Sequence, residues 1–252
     1  MKGVWLEDLT WPEAAERLSG GAPVIVPIGA RAKEHGHHLP LKTDYMLARA
    51  LCDGIAGELP VVIAPVIDFG YYPAFAAYPG SQHLKAGTFT ALVEEVIEAF
   101  VAQGAKMIAV VNTGVSTEGP VQVAVRNIQA RHGVQVAVAD IRRLGKASDH
   151  LLTQKLGGHG DEHETSVILA IDPSVVKMER AEEDYGHMLD DPPNVFYRPA
   201  RFTGDPQAGT NYSATGVRGD PTLATAEKGR AILAAMIADL VDGLRKLAPH
   251  PP

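Results

Sequence analysis

Four short runs rich in Val and Ile, at residues 24–28, 61–67, 107–111 and 134–138, constrain this chain more than any other feature. None alternates apolar with polar residues, so each predicts a strand buried on both faces, the habit of a parallel sheet covered by helices. Helical patterns lie between them, most clearly at 88–102 and 120–132. A β-α-β-α order joined by right-handed crossovers predicts an α/β sandwich with a mostly parallel central sheet. Thr10-Trp11-Pro12-Glu13 supplies an N-cap, an early Pro and a Glu three residues on, which predicts a helix to about residue 18, ended by Gly20-Gly21. From Thr225 a last helix sets Leu233, Ile237, Leu240, Leu244 and Leu247 on one stripe, a core face or a subunit contact.

A chain of 252 residues is expected to form one domain with a substantial core. Residues 183–222 carry Pro192-Pro193, Pro199, Pro206 and Pro221, but Val195, Phe196, Tyr197 and Phe202 punctuate them, so a long irregular segment is expected rather than a linker. A net charge of −7 argues against nucleic acid or an anionic membrane as partner, because phosphate neutralisation needs a basic face. The single cysteine, Cys52, rules out an intrachain disulfide and reads as a buried thiol in a helix. No basic stretch followed by an apolar run opens the chain, and no apolar run approaches the roughly 20 residues of a membrane span. A cytoplasmic protein acting on a small molecule is the expectation.

In α/β sheets the working residues collect just past the C-terminal strand ends. After the first run come Lys33-Glu34-His35-Gly36-His37-His38-Leu39-Pro40-Leu41-Lys42-Thr43-Asp44. Three imidazoles and two carboxylates in an irregular loop can converge on one cation, although a solvated polar loop would read the same way. The second cluster is His159-Gly160-Asp161-Glu162-His163-Glu164-Thr165-Ser166. Helix capping by Thr165 and Ser166, with acids at the positive helix end, accounts for part of it. Such crowded carboxylates repel one another unless a proton or cation intervenes. A third segment, Asn112-Thr113-Gly114-Val115-Ser116-Thr117, suits either a ligand-facing turn or an ordinary strand-to-helix turn with Ser116 or Thr117 as N-cap. Tyr71, Tyr72, Phe75 and Tyr78, in the segment that also holds His83, could wall a pocket or pack as a surface loop.

These segments, with Gly216-Val217-Arg218-Gly219-Asp220-Pro221 and Ala224-Thr225-Ala226-Glu227-Lys228-Gly229, resemble the creatininase family in order and spacing over most of the chain. The resemblance implies a three-layer sandwich and a metal-dependent amidohydrolase that cleaves a C–N bond of a small cyclic amide, formamide or related compound. It also implies one or two divalent ions (Zn, Mn or Fe) per subunit and a homo-oligomer, up to a hexamer. Carried over by position, His35 is a ligand, Asp44 a carboxylate bridging two ions and Glu162 a further ligand. His159 and Lys33 fall in the catalytic set, and His38, Gly114 and Ser116 face the substrate.

The departures are as informative. The family's glutamate stands two positions before the ligand histidine, where this chain has Lys33; Glu34, one position later, is the candidate to replace it as a ligand. The family's Asn-Gly-His after the third strand is Asn112-Thr113-Gly114 here, so a histidine is absent. Either His37, His38 or His159 replaces it, or one ion binds through His35, Asp44 and Glu162 while Lys33 offsets the vacated charge. A non-hydrolytic enzyme, or an inactive metal- or ligand-binding protein on the same scaffold, is the alternative reading.

Overall fold

The fold is that of a computed structural model, which describes residues 2–187 and 202–247. Its sheet has five strands, β1 (Val4–Trp5), β2 (Val24–Ile28), β3 (Val62–Ile63), β4 (Ile108–Asn112) and β5 (Val136–Asp140), in the order β1-β3-β2-β4-β5. Every pairing is parallel. The sequence runs lack alternation because both sheet faces are covered. Val24, Val26, Ile28, Ile108 and Val110 point into one apolar core, and Ile25, Ile63, Ala109 and Val111 into the other.

The first core is closed by α1 (Trp11–Ser19), α3 (Ala86–Ala102) and α4 (Glu118–His132), through Leu18, Phe89, Val93, Ile97, Val121 and Ile128. The second is closed by α2 (Thr43–Glu58), α5 (Glu162–Ile171) and α6 (Ala226–Leu247), through Leu47, Leu51, Ile55, Val167, Ile232 and Met236. The expected α/β sandwich is thus formed, with an all-parallel sheet. The α6 stripe is mostly core: Leu240 and Leu244 are buried, and Leu233 and Ile237 pack against them, whereas Leu247 is 53% exposed.

The Thr10–Glu13 capping box forms as expected. The run at 61–67 yields only a two-residue strand, its far end reaching the sheet through a single bridge from Ile67 to Ile28. Thr165 and Ser166 are not caps. Helix α5 begins three residues earlier, where the Asp161 side chain accepts the Glu164 N–H. Pro192-Pro193, Val195, Phe196, Tyr197 and Pro199 lie outside the described residues. Among the described residues no helix is long and apolar enough to cross a membrane.

Candidate active site

The end of β2 delivers the first loop and the end of β4 the turn at 113–117, so both emerge on the C-terminal edge of the parallel sheet. The loop folds back through Gly36, whose φ of +81° suits glycine, and returns to α2 so that Asp44, in its first turn, meets the residues that precede it. Asp44 Oδ2 accepts a hydrogen bond from Lys33 Nζ at 2.9 Å, and Asp44 Oδ1 lies 2.9 Å from His35 Nε2. All three side chains are buried. Burial alone would raise the Asp44 pKa, but the Lys33 ammonium and His35 outweigh it and hold the carboxyl well below the usual carboxylate range. Burial likewise works against the Lys33 charge, but the carboxylates of Asp44, Glu164 and Glu34 hold its pKa above that of an ordinary lysine.

The second loop arrives from the far side of the chain. A pair of backbone hydrogen bonds with Arg218, at 3.1 and 2.8 Å, fixes His159. Gly160 then turns with φ +57° so close to the first loop that a Cβ there would stand 3.1 Å from the His35 carbonyl oxygen. His159 Nε2 donates to the Glu34 carbonyl oxygen at 2.8 Å, which leaves the Nδ1 lone pair facing Glu164 Oε2 at 3.7 Å. The His35 ring is held at both nitrogens: Nδ1 donates to the Lys33 carbonyl oxygen and Nε2 meets Asp44 Oδ1, both at 2.9 Å, so Nε2 serves either as the donor to Asp44 or, deprotonated, as a ligand atom. Backbone carbonyls that select the imidazole tautomer are the usual support of a metal-binding histidine. Glu164 is steadied by the Gly160 N–H at 2.6 Å, and burial pushes its carboxyl above the usual range.

His35, His159 and Glu164 each offer a donor atom, and the three atoms lie within 4.8 Å of one another. Two oriented imidazoles and a desolvated carboxylate are a donor set suited to zinc or another borderline divalent ion, with positions left for water and substrate. The group opens onto a cavity of about 160 Å³ walled by Lys33, Phe75, Thr113, Ser116, His159 and Phe202. The His159 ring centroid is 4.5 Å from that of Phe75 and 5.5 Å from that of Phe202. An adjoining void of about 10 Å³ touches Lys33, Asp44, Gly114, Ser116 and Thr117. Ser116 lines both spaces and Gly114 only the small void, with Thr117 tying the turn to Asn112 Oδ1 at 2.6 Å. Phe75 is a pocket wall, and Tyr72 lines the small void.

The structure departs from several sequence expectations. Glu162 does not approach the three donors: its carboxylate accepts from the Thr153 and Gln154 N–H groups, both at 2.7 Å, and pairs with Lys228. Glu162 and Glu164 are two residues apart on a helix and so point to different sides, and only Glu164 faces the cavity. That offset was readable in the sequence and singles out Glu164 as the cavity-facing carboxylate. Asp44 does not join the group because Lys33 and His35 already engage both its oxygens. Glu34 also stands behind the site, bonding the Gly36 N–H and lying 3.3 Å from His159 Nε2. His38 is buried with Nε2 on Thr165 Oγ1 at 2.8 Å and does not line the cavity, and exposed His37 faces Glu182.

The family profile described as "Creatininase: Creatinine amidohydrolase" matches residues 7–244. The chain belongs to the creatininase family. This family member is 26% identical to the creatinine amidohydrolase of Pseudomonas putida, over 98% of each chain. It is 28% identical to the mycofactocin precursor peptide peptidase of Mycobacterium ulcerans (strain Agy99), over 96% of this chain and 88% of the relative. With the 3-dehydro-scyllo-inosose hydrolase of Thermotoga maritima it shares 27% identity, over 97% and 82%. Among solved structures, one titled "Creatininase Mn" superposes with a TM-score of 0.82 at 26% identity, covering 99% of this chain and all of the other. A creatininase mutant of "Zn-Zn type" gives 0.80 at 26% identity with the same coverage.

Proposed function

We propose that this creatininase-family protein is a metal-dependent hydrolase that cleaves a C–N bond of a small cyclic amide, formamide or related compound. The observation that carries the reading is the convergence of His35, His159 and Glu164, of which His159 and Glu164 line a cavity. The relatives support it, since their names are those of an amidohydrolase, a peptidase and a further hydrolase, and the similar structures carry manganese or zinc in their titles. A cavity of about 160 Å³ favours a substrate smaller than those held by most ligand pockets, at roughly 300–1,000 Å³.

A divalent ion held by His35, His159 and Glu164 supplies Lewis acidity and lowers the pKa of water. The chain's own groups do the rest. Phe75 and Phe202 flank the cavity and exclude bulk solvent from a planar substrate. Lys33 lines the cavity, and its ammonium suits the place where negative charge develops on a carbonyl oxygen; the turn at 114–116 lines the same space, with the Gly114 N–H held by Asn112 Oδ1. Glu164 is a cavity-lining carboxylate, and its oxygen not used by the ion can take a proton from attacking water and return it to the leaving nitrogen. His159, expected in the catalytic set, acts as a lone-pair donor rather than a proton donor, because its Nε2–H is committed to the Glu34 carbonyl oxygen.

The test is a panel of lactams, cyclic ureas and formamides offered to protein loaded with Zn, Mn or Fe, with amine or ammonia release as readout. Hydrolysis abolished in H35A and E164Q is expected. Metal-loaded protein that turns over none of the panel, or E164Q that remains fully active, overturns the reading. A homo-oligomer, proposed on the family resemblance, is checked separately by light scattering.

A further inference from the structure

Lys33 is a buried cation beside a cluster whose donor set calls for another. Its ammonium sits 2.9 Å from Asp44 Oδ2 and 4.9 Å from the centroid of the Phe75 ring, and it lines both the cavity and the void beneath it. Three carboxylates belong to this neighbourhood: Asp44 on Lys33 and His35, Glu34 beside His159 Nε2, and Glu164 beside His159 Nδ1. Against them stands the ammonium of Lys33, which already occupies Asp44, the carboxylate that a second ion would have to share. A second ion on Asp44 would be forced against that ammonium. In a low-dielectric site, like charges in contact repel strongly.

We infer that Lys33 is a built-in second cation that occupies Asp44 and limits the site to a single divalent ion on His35, His159 and Glu164. The inference rests on the metal-dependent reading above and deepens it. Lys33 acts here as a positioning residue: it holds Asp44 in place, and Asp44 in turn faces the ring of His35. The ammonium cannot be stripped by a chelator, so part of the site's positive charge persists when the ion leaves.

The experiment is metal counting, independent of turnover. Wild-type protein, K33R and K33M are equilibrated with excess Zn2+ or Mn2+, freed of loose ion, and assayed by elemental analysis and native mass spectrometry. One ion per chain is expected for wild type and K33R, and two for K33M, where removal of the ammonium leaves Asp44 uncompensated. Two ions in the wild type overturn the inference while leaving the metal-dependent reading intact. No ion in the wild type defeats both. A folded K33M that stops at one ion shows that Lys33 does not set the count and also overturns it. Should K33M fail to fold, the wild-type and K33R counts still decide the matter.

Discussion

Glu162 and Glu164, separated by one residue on α5, have opposite duties. The first carboxylate is buried against Lys228 and two backbone N–H groups, and the second turns into the cavity beside His159. On the proposed reading, stability and metal binding are thereby divided between neighbours. E162Q is expected to lower stability by about 2–3 kcal/mol, since it weakens several charge-assisted hydrogen bonds while leaving the donor group intact. E164Q is expected to melt near wild type but to lose the ion. Thermal melts alongside metal analysis check both, and a reversed pattern would contradict the division.

The Lys33–Asp44 pair makes a second case. Removing one partner leaves the other charge buried and alone, so D44N is expected to cost about 3–5 kcal/mol. The double variant K33M/D44N removes both charges and should recover much of that loss. Denaturant titration of the two variants with wild type and K33M gives the coupling energy directly, and additive losses would show that the pair is not the source.

His38 sets an acid limit. Burial first, then the neighbouring charge of His35, lowers its pKa from 6.5 to about 4. The unfolded chain therefore takes up this proton before the folded one does. Stability from this group is complete above about pH 6.5 and is lost as pH falls towards 4. The effect is roughly 3 kcal/mol over that window. H38Q should flatten the dependence, and denaturant midpoints at several pH values between 7 and 4 measure it. An unchanged slope would remove His38 as the cause.

Gly229 is where α6 crosses α5. A Cβ built there would lie 1.8 Å from the Ser166 carbonyl oxygen. In an exposed helix Gly→Ala stabilises by about 1 kcal/mol. G229A is expected to do the reverse, because neither helix backbone can yield without disturbing the second core, and a fall in the melting temperature checks this. It should also weaken metal binding, since α5 carries Glu164.

Phe75 tests the pocket wall. F75A should raise KM roughly tenfold, equivalent to about 1.4 kcal/mol, with the bound ion retained, because the ring contacts His159 without donating a ligand atom. Steady-state kinetics with metal analysis distinguishes this from a general collapse of the site.

Much of the architecture was legible in the chain because burial on both faces writes itself as uninterrupted Val and Ile runs. The run at 61–67 was read too long: a backbone hydrogen-bond ladder needs a neighbour in register, and Ile67 finds only one bridge to Ile28. The loops that carry the chemistry were found by residue type, but their pairings were not. His35 and Asp44 pointed to a shared cation, whereas Lys33 stands on the same carboxylate. Nothing local marks a lysine as buried, and only the burial shared with Asp44 and Phe75 makes its charge a structural element.

By itself, then, the sequence determined the layered fold, the strand ends where chemistry collects and the family motifs, because these depend on hydrophobic periodicity and local spacing. The tertiary structure decided which side chains meet: His159 reaches His35 through an antiparallel bridge to Arg218, and helix phase brings Glu164, not Glu162, to them. Contacts across more than 100 positions depend on how the loops close over the sheet, and no short-range pattern in the chain encodes that closure.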